Sequence, residues 1–339
     1  MSIEKKIINN DVTIQEIVRH LINSYSFKEI IYSDAFTRLQ DISFLGAIDY
    51  SEKQYILNKS RRTRHEHSLY VAALSFYISV KRNYSEETTK NIVAAALLHD
   101  IGHLPLSHSA EPTIKKIFGI GHHEIGNQII NGEVKKLKNL NENLKNKFDI
   151  EYIFYLLNTK DKDKNNGSDL FSSQINIDTI DGIIRCLEYK NLNSIISLNR
   201  LNIASASFLD EENLRIGILD NFWKTKDFVY KNMINNNFGI IPDKISEFFF
   251  IENSIHESML FSNEEKWKYK FKNLFKRLRN NEIKNSLKDY CFEITNRNYY
   301  INNNELNIPN RYLNTKTKEK MTPSHNFCVE KKQLNLFGE

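Results

Sequence analysis

The chain has 339 residues, 40% of them hydrophobic and 26% charged, and its net charge of +5 does not by itself indicate a nucleic-acid partner. Its three cysteines, Cys186, Cys291 and Cys328, are far apart and lack CxxC spacing, which argues against a disulfide framework or a zinc knuckle and indicates a reducing, cytoplasmic environment. No apolar leader begins the chain and no apolar run is long enough to cross a bilayer, so we expect no targeting segment and no membrane contact.

The first elements that the sequence predicts are helices over residues 12–48. Apolar residues recur there at helical spacing from Ile14 to Ile22, and Ser33 is a candidate cap for the next helix. Residues 49–63 are polar and basic. We therefore expect a loop at 49–63 that leads into a helix carrying His67.

The following helix carries an apolar run, Ile92–Leu98, and places His99 and Asp100 at its end. Neighbouring side chains on a helix point about 100° apart, so both can reach one cleft. A buried imidazole and a buried carboxylate are costly to desolvate, and a divalent metal ion accepts both as ligands. The stretch HDIGHLPLSH, which ends at His108, therefore indicates a metal site. The alternative is a solvated His-Asp pair at a helix end.

Further helices are predicted beyond this stretch. One follows His108 and ends at Gly119, and another begins at the segment HHEIG. Lys160–Asp169 is charged and predicts an exposed loop. Asp178 and Asp181 share one face of a later helix. Two short apolar runs, Leu201–Phe208 and Leu214–Leu219, flank the letters DEEN and predict a β-hairpin.

The pattern resembles the HD superfamily of metal-dependent phosphohydrolases, which uses a His on an upstream helix, a His-Asp pair and a distant Asp. The matching positions are His67, His99, Asp100 and Asp178. The resemblance implies that these residues hold one divalent ion and that the fold is an HD-domain helical fold. Mixed nitrogen and oxygen ligation suits Mn, Fe, Ni or Zn, and Mg less well. The sequence does not choose among these metals.

Within that superfamily, several segments are similar to the deoxynucleoside-triphosphate triphosphohydrolases. They are Arg64, HDIGHLPLSH, HHEIG and FTRLQDISFLG (Phe36–Gly46), in a similarity that spans residues 25–250. The resemblance implies a catalytic His and its acidic partner at His108 and Glu111, which stand three apart as helix neighbours. Such a His can give a proton to a leaving group.

The resemblance places a second histidine near the substrate phosphates. His123, with Glu124 beside it, matches that position, and His122 is the alternative register. We expect His103 in the same cleft, as a substrate-binding residue. Arg64 suits a phosphate or a metal-bound carboxylate, while a surface arginine in a basic run is the equal alternative.

Two positions depart from the family. Phe44 stands where a Gln usually contacts the substrate sugar, and Gly182 stands where an aromatic residue commonly packs against that sugar. Both changes remove groups that recognise a deoxyribose. They leave the metal chemistry intact and put the substrate in question.

We therefore predict a mostly α protein with an HD phosphohydrolase domain (1–250) that includes one small β-hairpin, a helical extension (251–310) and a disordered tail (311–339). The predicted function is metal-dependent hydrolysis of a deoxynucleoside triphosphate to deoxynucleoside and triphosphate by a cytoplasmic homo-oligomer. One alternative is an HD phosphohydrolase for a nucleoside monophosphate, a cyclic nucleotide or alarmone, or single-stranded nucleic acid. Another is a subunit that mainly recruits a partner.

Two segments bear on partners. The letters QLNLF, Gln333–Phe337, resemble the pentapeptide by which bacterial replication and repair proteins dock on the DNA sliding clamp. The alternative is that this segment packs on its own domain or on a second subunit.

Lysines and arginines around an apolar stripe at 267–279 could face single-stranded nucleic acid. We favour the other interpretation of 267–279, a solvated face over a packed stripe.

Overall fold

The computed structural model of the chain describes most of its length. Described are residues 1–51, 62–189, 198–209 and 215–280, and short segments at 291–294, 297–299, 319–321 and 325–328. These residues are mainly helical, so the prediction of a mostly α fold is confirmed. Among the described residues, no helix is both long and apolar enough to cross a membrane.

The helices follow one another closely along the chain. Before residue 52 they are α1 (Ile3–Ile8), α2 (Ile14–Asn23), α3 (Lys28–Ile31), α4 (Asp34–Thr37) and α5 (Ile48–Ser51). Residues 62–189 form α6 (Arg64–Lys81), α7 (Glu86–Leu98), α8 (Ser107–Phe118), α9 (His122–Ile130), α10 (Asn139–Lys147), α11 (Ile150–Asn158), α12 (Asp169–Ser172) and α13 (Ile177–Tyr189). After residue 197 come α14 (Arg200–Phe208), α15 (Arg215–Val229), α16 (Asn237–Glu252), α17 (Glu264–Lys270) and α18 (Lys272–Asn280).

Short strands occur near the carboxyl terminus. Strand β1 (Cys291–Ile294) pairs antiparallel with β4 (His325–Cys328), and β2 (Arg297–Tyr299) pairs antiparallel with β3 (Glu319–Met321). Both β3 and β4 lie inside the segment 311–339 that the sequence predicted to be disordered. Helix α16 runs across position 250, and the division into domains stays a prediction.

Helix α6 lies at the centre of the fold, where it packs against α1, α2, α7, α13 and α14. It is apolar on nearly every side, and such a helix is stable only when it is buried all round. Alanines on α6 and α7, including Ala72, Ala73 and Ala95, are fully buried between larger side chains. Because α6 and α7 are joined by a short turn, the first residues of α6 lie beside the last residues of α7. The candidate site forms at that junction.

The β-hairpin predicted at Leu201–Phe208 and Leu214–Leu219 is wrong in its position. The first segment lies in α14, and described residues of the second begin α15. Asn199 caps α14 by accepting hydrogen bonds from the backbone N–H groups of Leu201 and Asn202. A short apolar run does not distinguish a buried strand from a buried helix, and here the packing of α14 on α6 and α15 favoured the helix.

The basic region near residue 270 forms α17 and α18. Its apolar stripe is buried and consists of Trp267, Phe271, Leu274, Phe275 and Leu278. Lysines and arginines lie on the outer face, as expected for a solvated face over a packed stripe.

Candidate active site

The first turn of α6 carries Arg64 and His67. The hydroxyl of Thr63 caps this helix by accepting a hydrogen bond from Glu66 N, which fixes the direction in which the first turn points. His67 is fully buried and Arg64 nearly so. The alternative of a surface arginine at position 64 is therefore wrong.

His99 and Asp100 lie directly after the last residue of α7. His99 donates a hydrogen bond from Nδ1 to the carbonyl oxygen of Ala96 at 2.8 Å, which leaves Nε2 with a lone pair for an ion. From α13, Asp178 reaches the same place. The Nε2 atom of His67 lies 3.0 Å from Oδ1 of Asp178, 3.3 Å from Nε2 of His99 and 3.6 Å from Oδ2 of Asp100.

The structure thus brings together all four predicted metal ligands, His67, His99, Asp100 and Asp178. These four residues are called the ligand group below. Donor atoms bound to one ion at ~2.0–2.2 Å lie roughly 3 Å from one another, and the separations in the ligand group are close to that value. One donor atom from each of His67, His99 and Asp178 lies within 4.8 Å of the others. The donor set and its spacing therefore fit a divalent transition metal.

His67 is held from behind by Asp181, one helical turn after Asp178. Its Nδ1 donates to Oδ2 of Asp181 at 2.6 Å, and Asp181 in turn accepts from Nε of Arg185 at 2.8 Å and from Nε of Arg200 at 2.6 Å. Burial favours the neutral form of Asp181, but the two guanidinium groups outweigh burial and hold its pKa far below the usual range. A carboxylate in this position fixes which nitrogen of His67 faces the cleft.

Buried neighbouring carboxylates also shift the pKa of His67 itself. Burial alone would lower the pKa of its imidazole, but hydrogen bonds to Asp178 and Asp181 outweigh burial and raise that pKa to about 9. The pKa of Asp100 is lowered, because nearby His99, His103 and Arg64 outweigh its burial. An environment that holds a proton on a buried imidazole this strongly also favours a metal cation in its place.

Arg64 connects the ligand group to the surrounding backbone. Its Nη1 donates to Oδ2 of Asp100 at 2.8 Å, its Nη2 to the carbonyl oxygen of Phe44 at 3.0 Å, and its Nε to Oγ of Ser107 at 3.1 Å. The interpretation in which Arg64 binds a metal-ligand carboxylate agrees with this geometry. Its role in substrate binding stays a prediction.

A second group of histidines lies beside Asp100. His103, His108 and His122 each place one ring nitrogen within 4.8 Å of the others, so this histidine cluster is a second set of potential metal or phosphate partners. His103 is buried and stacks on His122 with ring centroids 4.3 Å apart. Neither ring nitrogen of His103 has a hydrogen-bond partner among the described residues, although Nε2 lies 3.2 Å from Oδ1 of Asp100. Burial, reinforced by Arg64, lowers the pKa of His103 well below its usual value.

Glu111 holds two members of the histidine cluster. Its Oε2 accepts from Nδ1 of His108 at 3.2 Å, and its Oε1 accepts from Nδ1 of His122 at 2.6 Å and from His122 N at 3.0 Å. These bonds outweigh burial and hold the pKa of Glu111 far below its usual range. His122, the alternative register, is therefore the histidine that binds Glu111, rather than His123.

His123 and Glu124 are both exposed. The ring of His123 lies against His122 with centroids 4.0 Å apart. Glu124 accepts a hydrogen bond from Gly121 N at 2.8 Å and so caps α9. The catalytic roles expected of His123 and Glu124 stay predictions.

Helix α9 reaches the site because of a glycine. A Cβ atom at Gly102 would lie 2.0 Å from the carbonyl oxygen of His122 and 2.3 Å from Gly126 N. Any larger residue would force α9 away from the connection that follows Asp100. Gly102 therefore determines how closely His122 approaches the ligand group.

The comparisons with known proteins agree with this geometry. The HD domain family matches residues 64–165, a range that contains His67, His99 and Asp100. Residues 64–165 of this chain thus match an HD domain. HD domains bind divalent metals, and the ligand group has the donors for one.

Two relatives share part of the chain. An uncharacterised protein of Methanocaldococcus jannaschii is 31% identical over 192 residues, which is 56% of this chain and 37% of the relative. A deoxyguanosinetriphosphate triphosphohydrolase-like protein of Desulfatibacillum aliphaticivorans is 35% identical over 91 residues, 26% of this chain and 22% of the relative. The chain therefore spans well under half the length of either relative.

A solved structure shares the fold. A hypothetical protein from Aquifex aeolicus superposes with a TM-score of 0.61 at 20% identity, covering 81% of this chain and 75% of that one. The helical arrangement thus extends well beyond the residues that match the HD domain.

A cavity of about 500 Å³ opens beside the ligand group and the histidine cluster of the HD domain. This volume is in the range of small-molecule sites, ~300–1,000 Å³. Away from the ligand group, Arg64 and the histidines, the lining is apolar or carries carboxamides and includes Leu98, Ile130, Leu157, Asn158, Phe171 and Asn176. A flat, partly polar organic group would match such a lining.

Phe44 and Gly182, the two departures from the family, lie against each other. A Cβ atom at Gly182 would lie 3.9 Å from Cζ of Phe44, and the Phe44 ring lies 5.0 Å from the ring of His67. Neither residue is part of the described cavity lining. Phe44 thus packs against both His67 and Arg64. The Cζ atom of Arg64 lies 4.9 Å from the Phe44 ring centroid.

Proposed function

We propose that this chain is a metal-dependent phosphohydrolase and that its substrate is a deoxynucleoside triphosphate, cleaved to deoxynucleoside and triphosphate. The observation that carries the proposal is the adjacency of two groups on one cavity. The ligand group supplies donors for a divalent ion, and the histidine cluster, with Glu111 behind it, supplies polar hydrogens for a phosphate. An ion bound there would polarise a phosphoryl oxygen and acidify a water molecule.

The residues around the ion would determine its position. Asp181 keeps the proton of His67 on Nδ1 and so directs Nε2 into the cleft, while the carbonyl oxygen of Ala96 does the same for His99. Arg64 restrains Asp100 and offsets part of its charge. We infer that these contacts hold the ligand group in place before substrate arrives.

His108 is the proposed proton donor. Its side chain is 63% exposed and faces the cavity, and Glu111 binds its Nδ1. Burial lowers the pKa of His108 overall, while the carboxylate at Nδ1 opposes that shift by stabilising the imidazolium form, which can donate from Nε2 to the leaving oxygen. The rings of His103 and His122 pack edge-on against His108, and His122, which lines the cavity, would contact the phosphate oxygens.

Two observations support a deoxynucleoside triphosphate as the substrate. The segments HDIGHLPLSH and HHEIG are similar to the triphosphohydrolase family, and one relative bears the name deoxyguanosinetriphosphate triphosphohydrolase-like protein. The apolar and carboxamide part of the cavity also suits a nucleobase.

A second candidate substrate is a nucleotide with a single phosphate. Among the described residues that line the cavity, Arg64 is the one arginine or lysine, and its guanidinium is bonded to Asp100, Ser107 and Phe44. A triphosphate carries more negative charge than one phosphate group and requires more compensating cations. This observation favours a monophosphate or a phosphodiester.

The test is a panel of substrates on the full chain. The protein would be stripped of metal, reloaded with Mn, Fe, Co, Ni, Zn or Mg, and assayed with deoxy- and ribonucleoside triphosphates, monophosphates, cyclic nucleotides, an alarmone and single-stranded oligonucleotides. Ion-exchange chromatography of the products separates triphosphate from phosphate. We expect triphosphate from the deoxynucleoside triphosphates, whereas phosphate from monophosphates alone would select the second candidate.

Matched variants test the site. Asp178→Ala should lose bound metal and hydrolysis together, because it removes a ligand. Glu87→Ala, an exposed change on α7, should keep both. Unchanged metal content in Asp178→Ala, or no hydrolysis by the parent chain with any metal, contradicts the proposal.

Three proposals rest on the sequence alone. We propose that the protein is cytoplasmic, that it forms a homo-oligomer, and that it docks on a DNA sliding clamp. Docking would use Gln333–Phe337, a segment outside the described residues. Clamp binding of the full chain should disappear when Leu336 and Phe337 are both changed to Ala. Equal binding by the two chains, or none by the parent, would remove the clamp proposal.

A further inference from the structure

A buried glutamate far along the chain touches the connection that carries His108. Glu264, at the start of α17, is fully buried. Its Oε2 accepts from Leu106 N at 3.1 Å and from Ser43 N at 3.0 Å, and its Oε1 accepts from Oγ of Ser43 at 2.8 Å and from the hydroxyl of Tyr50. All these partners are donors, so a group that only accepts hydrogen bonds fits here.

The backbone held by Glu264 has an unfavourable conformation. Leu106 has φ of +63° and Ser107 has φ of +44°, both in the left-handed region, which costs energy for residues with a Cβ atom. Such a turn persists only when its surroundings fix it. Glu264 binds the Leu106 amide directly, and Ser107 Oγ donates to the carbonyl oxygen of Ser43 at 2.6 Å.

This turn determines where His108 lies. His108 follows Ser107 immediately, and its side chain, 63% exposed, packs edge-on against the rings of His103 and His122 with centroids 4.7 and 5.5 Å away. The ring is positioned by Glu111 on one side and by the backbone at Leu106 and Ser107 on the other. A change in the turn therefore displaces the imidazole relative to His103, His122 and Glu111.

The same contacts reach the ligand group. Ser107 Oγ also accepts from Nε of Arg64, and Arg64 binds Asp100. Ser43 lies beside Thr63, the cap of α6, in an isolated antiparallel bridge. The carboxylate of Glu264 thus joins the region after residue 251 to the starts of both α6 and α8.

We propose that Glu264 is a positioning residue that holds the left-handed turn at Leu106 and Ser107 and so places His108 against the substrate. The role in turnover rests on the proposed function, whereas the placement of the His108 ring does not. The region that carries α17 is then a part of the active site's framework rather than an appendage.

The test compares Glu264→Gln with Glu265→Gln in the full, metal-loaded chain. The amide introduced by Glu264→Gln would place a donor against Leu106 N or Ser43, whereas the side chain of Glu265 is 58% exposed and pairs with Lys268. We expect Glu264→Gln to keep the parent's metal content and a KM within about twofold, and to lose roughly 100-fold in kcat, the order of loss that a misplacement of ~1 Å produces. Glu265→Gln should match the parent.

A second readout needs no substrate. In the zinc-loaded chain with 13C-labelled histidine, the ring resonance of His108, assigned by its loss in His108→Asn, should shift in Glu264→Gln and not in Glu265→Gln. An unmoved His108 resonance, or a kcat equal to that of Glu265→Gln, overturns the proposal. If the parent chain hydrolyses no nucleotide, the proposed function fails and the resonance alone decides the positioning role.

A milder variant covers the case in which Glu264→Gln does not fold. Tyr50→Phe removes one donor to the carboxylate and leaves the bond to Leu106 N. It should shift the His108 resonance in the same direction and lower kcat by a smaller factor. No shift in Tyr50→Phe, together with an unfolded Glu264→Gln, would reduce Glu264 to a structural role and end the proposal.

Discussion

Nδ1 of His67 lies 2.6 Å from Oδ2 of Asp181, and both side chains are fully buried. Asp181 accepts further hydrogen bonds from Arg185 and Arg200, so its position is fixed from three directions. The imidazole of His67 therefore has one orientation, and its neutral form has one tautomer available. A side chain held in this way would bind a metal ion without first being ordered.

This relationship predicts that Asp181→Asn weakens metal binding by ~10–100-fold, the usual effect of losing a carboxylate behind a ligating histidine. Competition with a chelator measures the affinity. Glu188→Gln is the matched control, because Glu188 also pairs with Arg200 but makes no contact with His67 among the hydrogen bonds described. Both variants should lower the melting temperature. Equal metal affinity in the two would contradict the role assigned to Asp181.

His108→Ala should separate chemistry from metal binding. The variant should keep the parent's metal content, because His108 is outside the ligand group, and should lose ~10²–10⁴-fold in kcat if His108 donates the proton. Glu111→Gln should show an intermediate loss. His65→Ala, a change on α6 next to Phe36, serves as the control. Turnover at the parent rate in His108→Ala would rule out the proton-donor role.

Phe44 and Gly182 predict weak discrimination between sugars. The Phe44 ring packs against His67 and offers no hydrogen bond to a ribose, and Gly182 presents no side chain. A site without a polar group for the sugar rejects an added hydroxyl by no more than about 100-fold. The measurement is the ratio of kcat/KM for matched deoxy- and ribonucleotides in the parent chain, and because Phe44 lies outside the cavity lining, Phe44→Gln should leave that ratio unchanged. Near-complete rejection of ribonucleotides by the parent chain would count against this argument.

Asp243 on α16 predicts a dependence of stability on pH. Burial raises the pKa of this carboxyl to about 6, although Oγ of Ser109 donates to it at 2.5 Å and opposes the shift. A carboxyl whose folded pKa exceeds its unfolded value contributes stability below the unfolded value, ~3.9, and loses it as the pH rises through the folded value. The contribution of Asp243 to stability should therefore be lost between about pH 4 and pH 6, and comparison with a variant at this position isolates it from the other titrating groups.

Asp243→Asn removes this loss. The variant should exceed the parent in free energy of unfolding by at most about 3 kcal/mol at pH 8, and the two should converge near pH 4. Urea denaturation at both pH values measures the difference. Glu252→Gln, an exposed change at the end of the same helix, should follow the parent. A variant less stable than the parent at pH 8 would show that the carboxylate is stabilising there.

The sequence alone was sufficient for the features that depend on local pattern. Helical spacing and a buried apolar run placed His99 and Asp100 at the end of a helix, and the HD resemblance selected His67 and Asp178. The structure confirms the helix end before His99, because that inference needs only residue types at fixed separations along the chain, whereas the metal-ligand role of His67 and Asp178 stays a prediction. The mostly α fold followed in the same way.

Other features depended on contacts between residues distant in the sequence. The runs at Leu201–Phe208 and Leu214–Leu219 suit a strand or a helix, and packing decided for helices. His122 rather than His123 binds Glu111 because the absence of a side chain at Gly102 determines the approach of α9. The spacing of Asp178 and Asp181 suggested a shared face but not that Asp181 binds His67.

Glu264 shows most clearly what the sequence pattern does not predict. It lies 158 residues from Leu106 and 221 residues from Ser43, inside a segment whose lysines and apolar stripe dominate the sequence pattern. Nothing in the letters around Glu264 distinguishes it from its exposed neighbour Glu265. Only the folded chain removes one of these carboxylates from water and surrounds it with donors, because burial and hydrogen-bond partners are properties of the tertiary structure rather than of local spacing.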